Sequence, residues 1–205
     1  MPGTPLDAHV GANSVVIQVA DAAGSTGTES FTVTVANTND APSISSSGTT
    51  TGTEDTAYSY SITTSDDDSD SSDSWTITCT TCPSWLSISH TAGASTATLS
   101  GTPLNAHVGA NSVVIQVADA AGATGTESFT VTVADVNDAP TIASAISDAS
   151  TAEDAAYSLD ASGTCTDADA SDTMVYSISG GPTTITTTEA GVISGTPVDA
   201  NVGAH

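Results

Sequence analysis

The sequence predicts an all-β protein: a tandem array of antiparallel β-sandwiches with Greek-key connections, one complete and two partial. Three observations carry this expectation. Residues 3–42 recur at 101–140 with four changes in forty positions, Asp7/Asn105, Ser25/Ala123, Asn37/Asp135 and Thr38/Val136, and residues 195–204 repeat the opening of the block once more. The two Asn-Asp-Ala-Pro tetrads lie 98 residues apart, a spacing that fits one small domain per repeat rather than a solenoid turn. Short segments alternate apolar and polar residues with period two, and no stretch sustains a 3.6-residue apolar spacing.

Taken in order, residues 14–20 and 30–35 are β-branched and alternating, with Phe31, Val33 and Val35 on one side and Thr32 and Thr34 on the other. Between them 21–27 (Asp-Ala-Ala-Gly-Ser-Thr-Gly) supplies the small, conformationally permissive residues of a hairpin turn. Residues 57–62, 74–79, 85–89 and 96–99 read as further strands, divided by Ser, Asp, Pro and Gly. Seven or so short strands in under a hundred residues is a sandwich pattern. Trp75, Trp85, Leu86, Tyr58 and Tyr60 read as core or sheet-face residues rather than ligand platforms. The expected division is 1–42, the closing strands of one repeat; 43–140, a complete repeat; and 141–205, the earlier strands of a third. The two partial repeats are complementary, so the tail of one molecule is a candidate acceptor for the head of the next. Their overlap at Gly-Thr-Pro favours the plainer alternative, a slice of a longer protein cut without regard to domains.

Twenty-four Asp and Glu face no Lys or Arg. Two carboxylates about 4 Å apart repel by roughly 4 kcal/mol at an effective dielectric near 20, so a folded cluster of them needs protons or a cation. A hard divalent cation suits neutral pH. The same balance excludes nucleic acid and anionic membrane surfaces as partners, since both are bound through Lys and Arg. No apolar run approaches the roughly 18 residues that span a bilayer, so membrane insertion within this segment is not expected, and the N-terminus opens no signal sequence. Scattered acids are equally read as solubilising charge.

The clusters recur in register. Asn37-Thr38-Asn39-Asp40-Ala41-Pro42 and Asp135-Val136-Asn137-Asp138-Ala139-Pro140 occupy the two junctions, followed by Glu54-Asp55 and Glu153-Asp154. Asp68-Ser69-Asp70 then aligns with Asp167-Ala168-Asp169 at the separation of 99 that relates the Glu-Asp pairs. Carboxylates two apart in an extended segment point the same way, and a domain junction brings several segments together around six to eight oxygen ligands. Asp66 and Asp67 read as solvated turn residues.

The second linker resembles the calcium-binding linker of cadherins, and Asp167-Ala168-Asp169 resembles their next-domain Asp-x-Asp. Ser100-Gly101-Thr102-Pro103, Val117 to Gly122 and Phe129 to Val133 are similar to bacterial dystroglycan-type cadherin-like domains, within the broader immunoglobulin-like class. The resemblance implies that Glu54, Asp135, Asn137, Asp138, Asp167 and Asp169 share calcium. At the earlier junction it implies Asn39, Asp40, Asp68, Asp70 and Asp119, with weaker binding because Asn37 stands where the later linker has an Asp. The linker lacks the second Asn before Ala139-Pro140, and no Leu-Asp-Arg-Glu occurs at 100–103, so the resemblance fixes no ion number. It implies an extracellular or surface location and partners among neighbouring repeats, cell-surface glycans or proteins, or further copies of the chain.

Cys79-Thr80-Thr81-Cys82 favours a local disulfide over free thiols or a redox pair, and leaves Cys165 over. His9, His90, His107 and His205 are dispersed, two of them at equivalent repeat positions, and no Gly-x-Ser-x-Gly elbow occurs, so no enzyme is expected. The sequence is read as a calcium-stiffened adhesin segment, with a metal-independent spacer as the rival.

Overall fold

Alternation of β-branched and small polar residues produces strands at every predicted position, and the structure extends most of them. In the computed structural model, residues 3–68 and 74–203 are described. They fall into two units, Met1–Asp135 and Val136–His205. The first unit opens with the hairpin β1 (Gly11–Ala20) and β2 (Thr26–Val35), followed by β3 (Ser43–Ile44), β4 (Thr51–Thr53), β5 (Tyr58–Ser65), β6 (Thr76–Thr81), β7 (Leu86–His90), β8 (Thr96–Gly101), β9 (Gly109–Ala118) and β10 (Thr124–Ala134). The two short strands β3 and β4 escape a period-two reading because they hold too few residues to show a period.

Strands β3 to β10 make two four-stranded sheets, ordered β3-β5-β8-β7 and β4-β10-β9-β6. Neighbours in each sheet are mostly distant in sequence, which is the Greek-key trait. All pairings are antiparallel except β4 on β10, which runs parallel with Val133 opposite Gly52. Tyr58, Tyr60 and Ile62 of β5 and Leu99 of β8 face Ile77, Val113, Ile115, Val117, Val131 and Val133 of the other sheet, with Trp85 and Leu86 closing one end. Each fully buried aliphatic side chain here contributes about 1.5–3 kcal/mol. Trp85 meets Tyr58 edge-on at 5.6 Å, and its Nε1 donates to Asn111 Oδ1 at 3.1 Å.

Inside the sandwich Glu127 is satisfied without a Lys or Arg. Glu127 accepts from the Gly48 N–H and the Tyr60 hydroxyl, both at 2.8 Å. Burial, aided by Glu127 and opposed by the Ser46 hydrogen bond, pushes the Tyr60 phenol up to about 12. Two glycines permit backbone approaches that a side chain would block: a Cβ on Gly101 would overlap the Trp85 carbonyl, and one on Gly125 would overlap the Pro42 carbonyl, where the linker seats. The register of β6 on β9 shifts between Cys79 and Thr81, and there Cys79 and Cys82 form the favoured disulfide, their Cα atoms 5.6 Å apart. Cys165 is free.

The His residues at equivalent repeat positions are structural. The Leu6 N–H donates to His9 Nδ1 and the Leu104 N–H to His107 Nδ1, each at 3.0 Å, in matching 3₁₀ turns Asp7–His9 and Asn105–His107.

In the second unit β11 (Thr141–Ile142) pairs with β13 (Cys165–Thr166), and β12 (Tyr157–Asp160), β14 (Ile185–Thr187) and β15 (Val192–Gly195) form a sheet ordered β12-β15-β14. This reproduces β5-β8-β7. Among the described residues of this unit, Ala161 is the one fully buried apolar side chain.

The hairpin β1–β2 has the sequence of β9 and of β10 over 124–133, and it keeps the same register, Gly11 opposite Val35 as Gly109 is opposite Val133. Its faces are open: Ile17 is 56% exposed where Ile115 is 0%, and Val19 69% where Val117 is 0%.

One chain therefore contains its own control for core burial. Ile115→Ala is expected to cost about 2–5 kcal/mol and Ile17→Ala less than about 0.5 kcal/mol, read from urea unfolding followed by the fluorescence of Trp75 and Trp85. A second expectation concerns alkali. Between the unfolded tyrosine value of about 10 and the folded value of about 12, the unfolded chain loses a proton that folded Tyr60 keeps, so stability falls as pH rises through that window. Tyr60→Phe is expected to flatten the fall in thermal melts.

Candidate metal centre

The first linker runs out of β2 and turns across the end of the sandwich, where its polar side chains meet the loops after β5 and β9. The Asn37 amide donates to Asp68 Oδ1 at 2.9 Å, and the Asp40 N–H donates to Asp68 Oδ2 at 2.8 Å. The Asn39 amide donates to Asp119 Oδ2 at 2.9 Å and to its neighbour's carbonyl, Asp40 O, at 2.7 Å. Asp68 and Asp119 are buried. Asp119 heads the β9–β10 turn, accepting the Ala123 N–H at 2.9 Å. Of the residues expected at this junction, Asn39, Asp40, Asp68 and Asp119 are thus brought together; Asp70 lies outside the described residues.

The structure changes the alignment of the Asp-x-Asp pair. The Asp68 N–H donates to Asp66 Oδ1 at 3.2 Å, and the Asp169 N–H donates to Asp167 Oδ1 at 3.0 Å. The Asp138 N–H reaches Asp169 Oδ2 at 2.6 Å, as Asp40 reaches Asp68. Strand pairing agrees, since Ser43 lies opposite Ser65 and Thr141 opposite Thr166. Asp66-x-Asp68 is therefore the counterpart of Asp167-x-Asp169. The constant separation of 99 placed Asp68 and Asp70 there because the second unit holds two more residues before its pair and the first unit two more after it. Asp66, read as a solvated turn residue, belongs to the centre. The missed signal was that Ser65-Asp66-Asp67-Asp68 and Thr166-Asp167-Ala168-Asp169 both place the acids directly after a strand.

Asp66 Oδ2 is buried and accepts no hydrogen bond. An orphaned carboxylate oxygen beside other acids is where a cation fits, and the donors around it are oxygens alone, which suits a hard ion such as calcium. Electrostatics agree. The Asp7 carboxylate, loss of hydration, and the charges of Asp68, Asp67 and Asp66 together raise the Asp40 pKa above the ordinary carboxylate value. Asp119 moves the other way, lowered first by the Asn39 amide and then by the backbone N–H groups of its turn, against the opposing effect of burial.

Asp7 alters the comparison between the two junctions. The earlier linker has Asn37 where the later has Asp135, but Asp7 stands at the repeat position of Asn105. The Asp7 carboxylate acts on Asp40 within this cluster, a charge that a comparison of the two linkers alone leaves out.

The later set is divided between the two units. In the first, Glu54 is buried, its N–H donates to Ala134 O at 3.0 Å, and Asp135 is exposed just beyond β10. In the second, the Asn137 amide donates to Asp138 O at 2.7 Å, and Asp138, Asp167 and the buried Asp169 are linked by the bonds already given.

A family model described as "Putative Ig domain" matches residues 41–134. The sequence matches no curated protein. Among solved structures, protocadherin gamma B2 extracellular cadherin domains 1–5 align at a TM-score of 0.65 and 18% identity, over 92% of this chain and 40% of that one. Domains 3–6 of the same protein align at 0.57 and 20%, over 91% and 49%. The protocadherin gamma B4 extracellular domain aligns at 0.56 and 19%, over 91% and 32%. The fold is the cadherin-like and immunoglobulin-like β-sandwich. This chain spans less than half the length of each of these structures.

In the metal-free protein Asp7→Asn is expected to bring the Asp40 pKa back toward the ordinary carboxylate value, because the largest source of its elevation is removed. Carboxyl-carbon NMR titration of Asp40 measures this. An unmoved pKa would separate Asp7 from the cluster.

Proposed function

We propose that this chain is part of an extracellular or cell-surface adhesin whose successive cadherin-like repeats, of the bacterial dystroglycan-type kind, are stiffened by calcium at their junctions. Glu54, Asp135, Asn137, Asp138, Asp167 and Asp169 serve the later junction. Asn39, Asp40, Asp66, Asp68 and Asp119 serve the earlier one, with Asp7 adding charge and Asp70 assigned there from the sequence alone. Neighbouring repeats are the immediate partners, and the outward target is a surface glycan, a surface protein or another copy. The role is mechanical and not enzymatic.

The observation that carries this reading is the buried Asp66 Oδ2, an acceptor without a donor inside an all-oxygen cluster. Two features support the location. The Cys79–Cys82 disulfide belongs to oxidising compartments, and the millimolar calcium found outside cells matches the affinity of about 10⁻⁴ to 10⁻³ M usual for extracellular modules. Without an ion the clustered carboxylates repel and the joint flexes; with one, ligands drawn from adjoining segments fix the angle between neighbours.

Calcium at about ten times its dissociation constant is expected to stabilise the fold by about 1.4 kcal/mol, seen as a raised melting temperature with a longer, more uniform X-ray scattering profile. Asp68→Asn is expected to remove the response of the earlier junction, and Asp169→Asn that of the later one. Equal responses to sodium at matched ionic strength, or variants that respond like the parent, would leave a metal-independent spacer instead.

A further inference from the structure

We infer that Asp55 is the positioning residue of the later junction: its left-handed backbone turns the chain at the end of the sandwich and so holds the Glu54 carboxylate beside the start of the linker. The inference rests on the proposed calcium reading of that junction.

Among the described residues, Asp55 and Asp154 are the two non-glycine residues with positive φ, each at 55°. Each directly follows the glutamate of its Glu-Asp pair. A left-handed angle is disfavoured for L-residues, least for Asn and Asp, whose short polar side chains bond locally. Strain kept at the same place in two repeats marks a position that the surrounding structure must hold.

What is held is the crossing from one sheet to the other. Thr53, the last residue of β4, pairs with Ala134 at the end of β10, and β5 begins at Tyr58 in the opposite sheet. At this corner the Glu54 N–H donates to Ala134 O at 3.0 Å, and the Asp55 N–H donates to Pro103 O at 2.9 Å. The Thr56 N–H closes the turn on Thr53 O at 3.2 Å. Asp55 is the third residue of that turn, where a positive φ ordinarily calls for Gly or Asn. An extended residue there would carry the chain past the end of β10 and break the Thr56 bond. The second unit repeats the corner, with the Asp154 N–H on Pro197 O at 2.9 Å and the Ala155 N–H on Ala152 O at 3.4 Å.

Glu54 is 2% exposed, and one of its carboxylate oxygens lies within 4.8 Å of one from Asp135, the residue after Ala134. The bond to Ala134 O and the reversal at Asp55 together set where that carboxylate stands. Asp55 itself is exposed and acts through its backbone.

The test separates charge from backbone angle. Asp55→Asn and Asp55→Gly remove the charge and keep the angle accessible; Asp55→Ala and Asp55→Val remove the charge and disfavour the angle, the β-branched side chain most. Calcium is titrated into the 205-residue chain and followed by NMR at the Glu54 carboxyl carbon. The first pair is expected to keep the dissociation constant within about threefold of the parent, and the second pair to raise it roughly tenfold or more. Equal weakening in all four would make charge the cause and overturn the inference. A second arm needs no metal. In excess chelator the Glu54 amide, bonded to Ala134 O, is expected to keep its hydrogen-exchange protection in the first pair and to lose about tenfold in the second. Uniform protection across the four would also overturn the positioning role. A parent whose Glu54 signal ignores calcium defeats the calcium reading, and the exchange arm then decides the role of Asp55 by itself.

Discussion

Acid without Lys or Arg is the condition that shapes this molecule. Three of the acids inside or beside the sandwich are held by backbone N–H groups, amides or a hydroxyl. Glu127 takes Gly48 and Tyr60, Asp119 takes Asn39 and its own turn, and Asp68 takes Asn37 and Asp40. Such donors are neutral. They satisfy hydrogen-bonding capacity and leave charge in place, so like charges accumulate wherever a linker crosses the end of a sandwich. A cation from outside is the natural way to cancel them, and the metal reading rests on that uncancelled charge together with the one buried acceptor left without a donor, Asp66 Oδ2.

The two junctions meet this condition with different residues. At the earlier one, Asn37 supplies an amide donor to Asp68 while Asp7 supplies the charge from another segment. At the later one, Asp135 offers oxygens only, and the position of Asp7 is held by Asn105. The two blocks thus carry the same number of acids at these two positions taken together, one each.

Much of the fold was legible because core strands obey a period of two and because repetition tied one segment's reading to another's. Strands β5, β9 and β10 were plain from Tyr58-x-Tyr60-x-Ile62, Val113-x-Ile115-x-Val117 and Val131-x-Val133. Strands β3 and β4, two and three residues long, leave no periodic trace; they exist because neighbouring strands hold them by backbone bonds. In the centre, residue types and segments were readable, but the pairing was displaced by two positions. A fixed separation between repeats assumes loops of equal length, and the loops around the Asp-x-Asp pair differ. Strand pairing, Ser43 with Ser65 and Thr141 with Thr166, and the matching bonds of Asp40 to Asp68 and Asp138 to Asp169 anchor that register.

The near-identity of β1–β2 and β9–β10 also bears on how the chain reaches its native state. Synthesis produces the leading hairpin first, and its inward side chains fit the gap between β4 and β6 as well as those of the later hairpin do. Side-chain complementarity offers no discrimination between the two, so the choice passes to connectivity: which hairpin closes the smaller loop without stretching its linker. Neighbouring repeats this alike carry an inherent hazard of intramolecular misassembly. Loop length, rather than core sequence, is what favours β9–β10 in that gap.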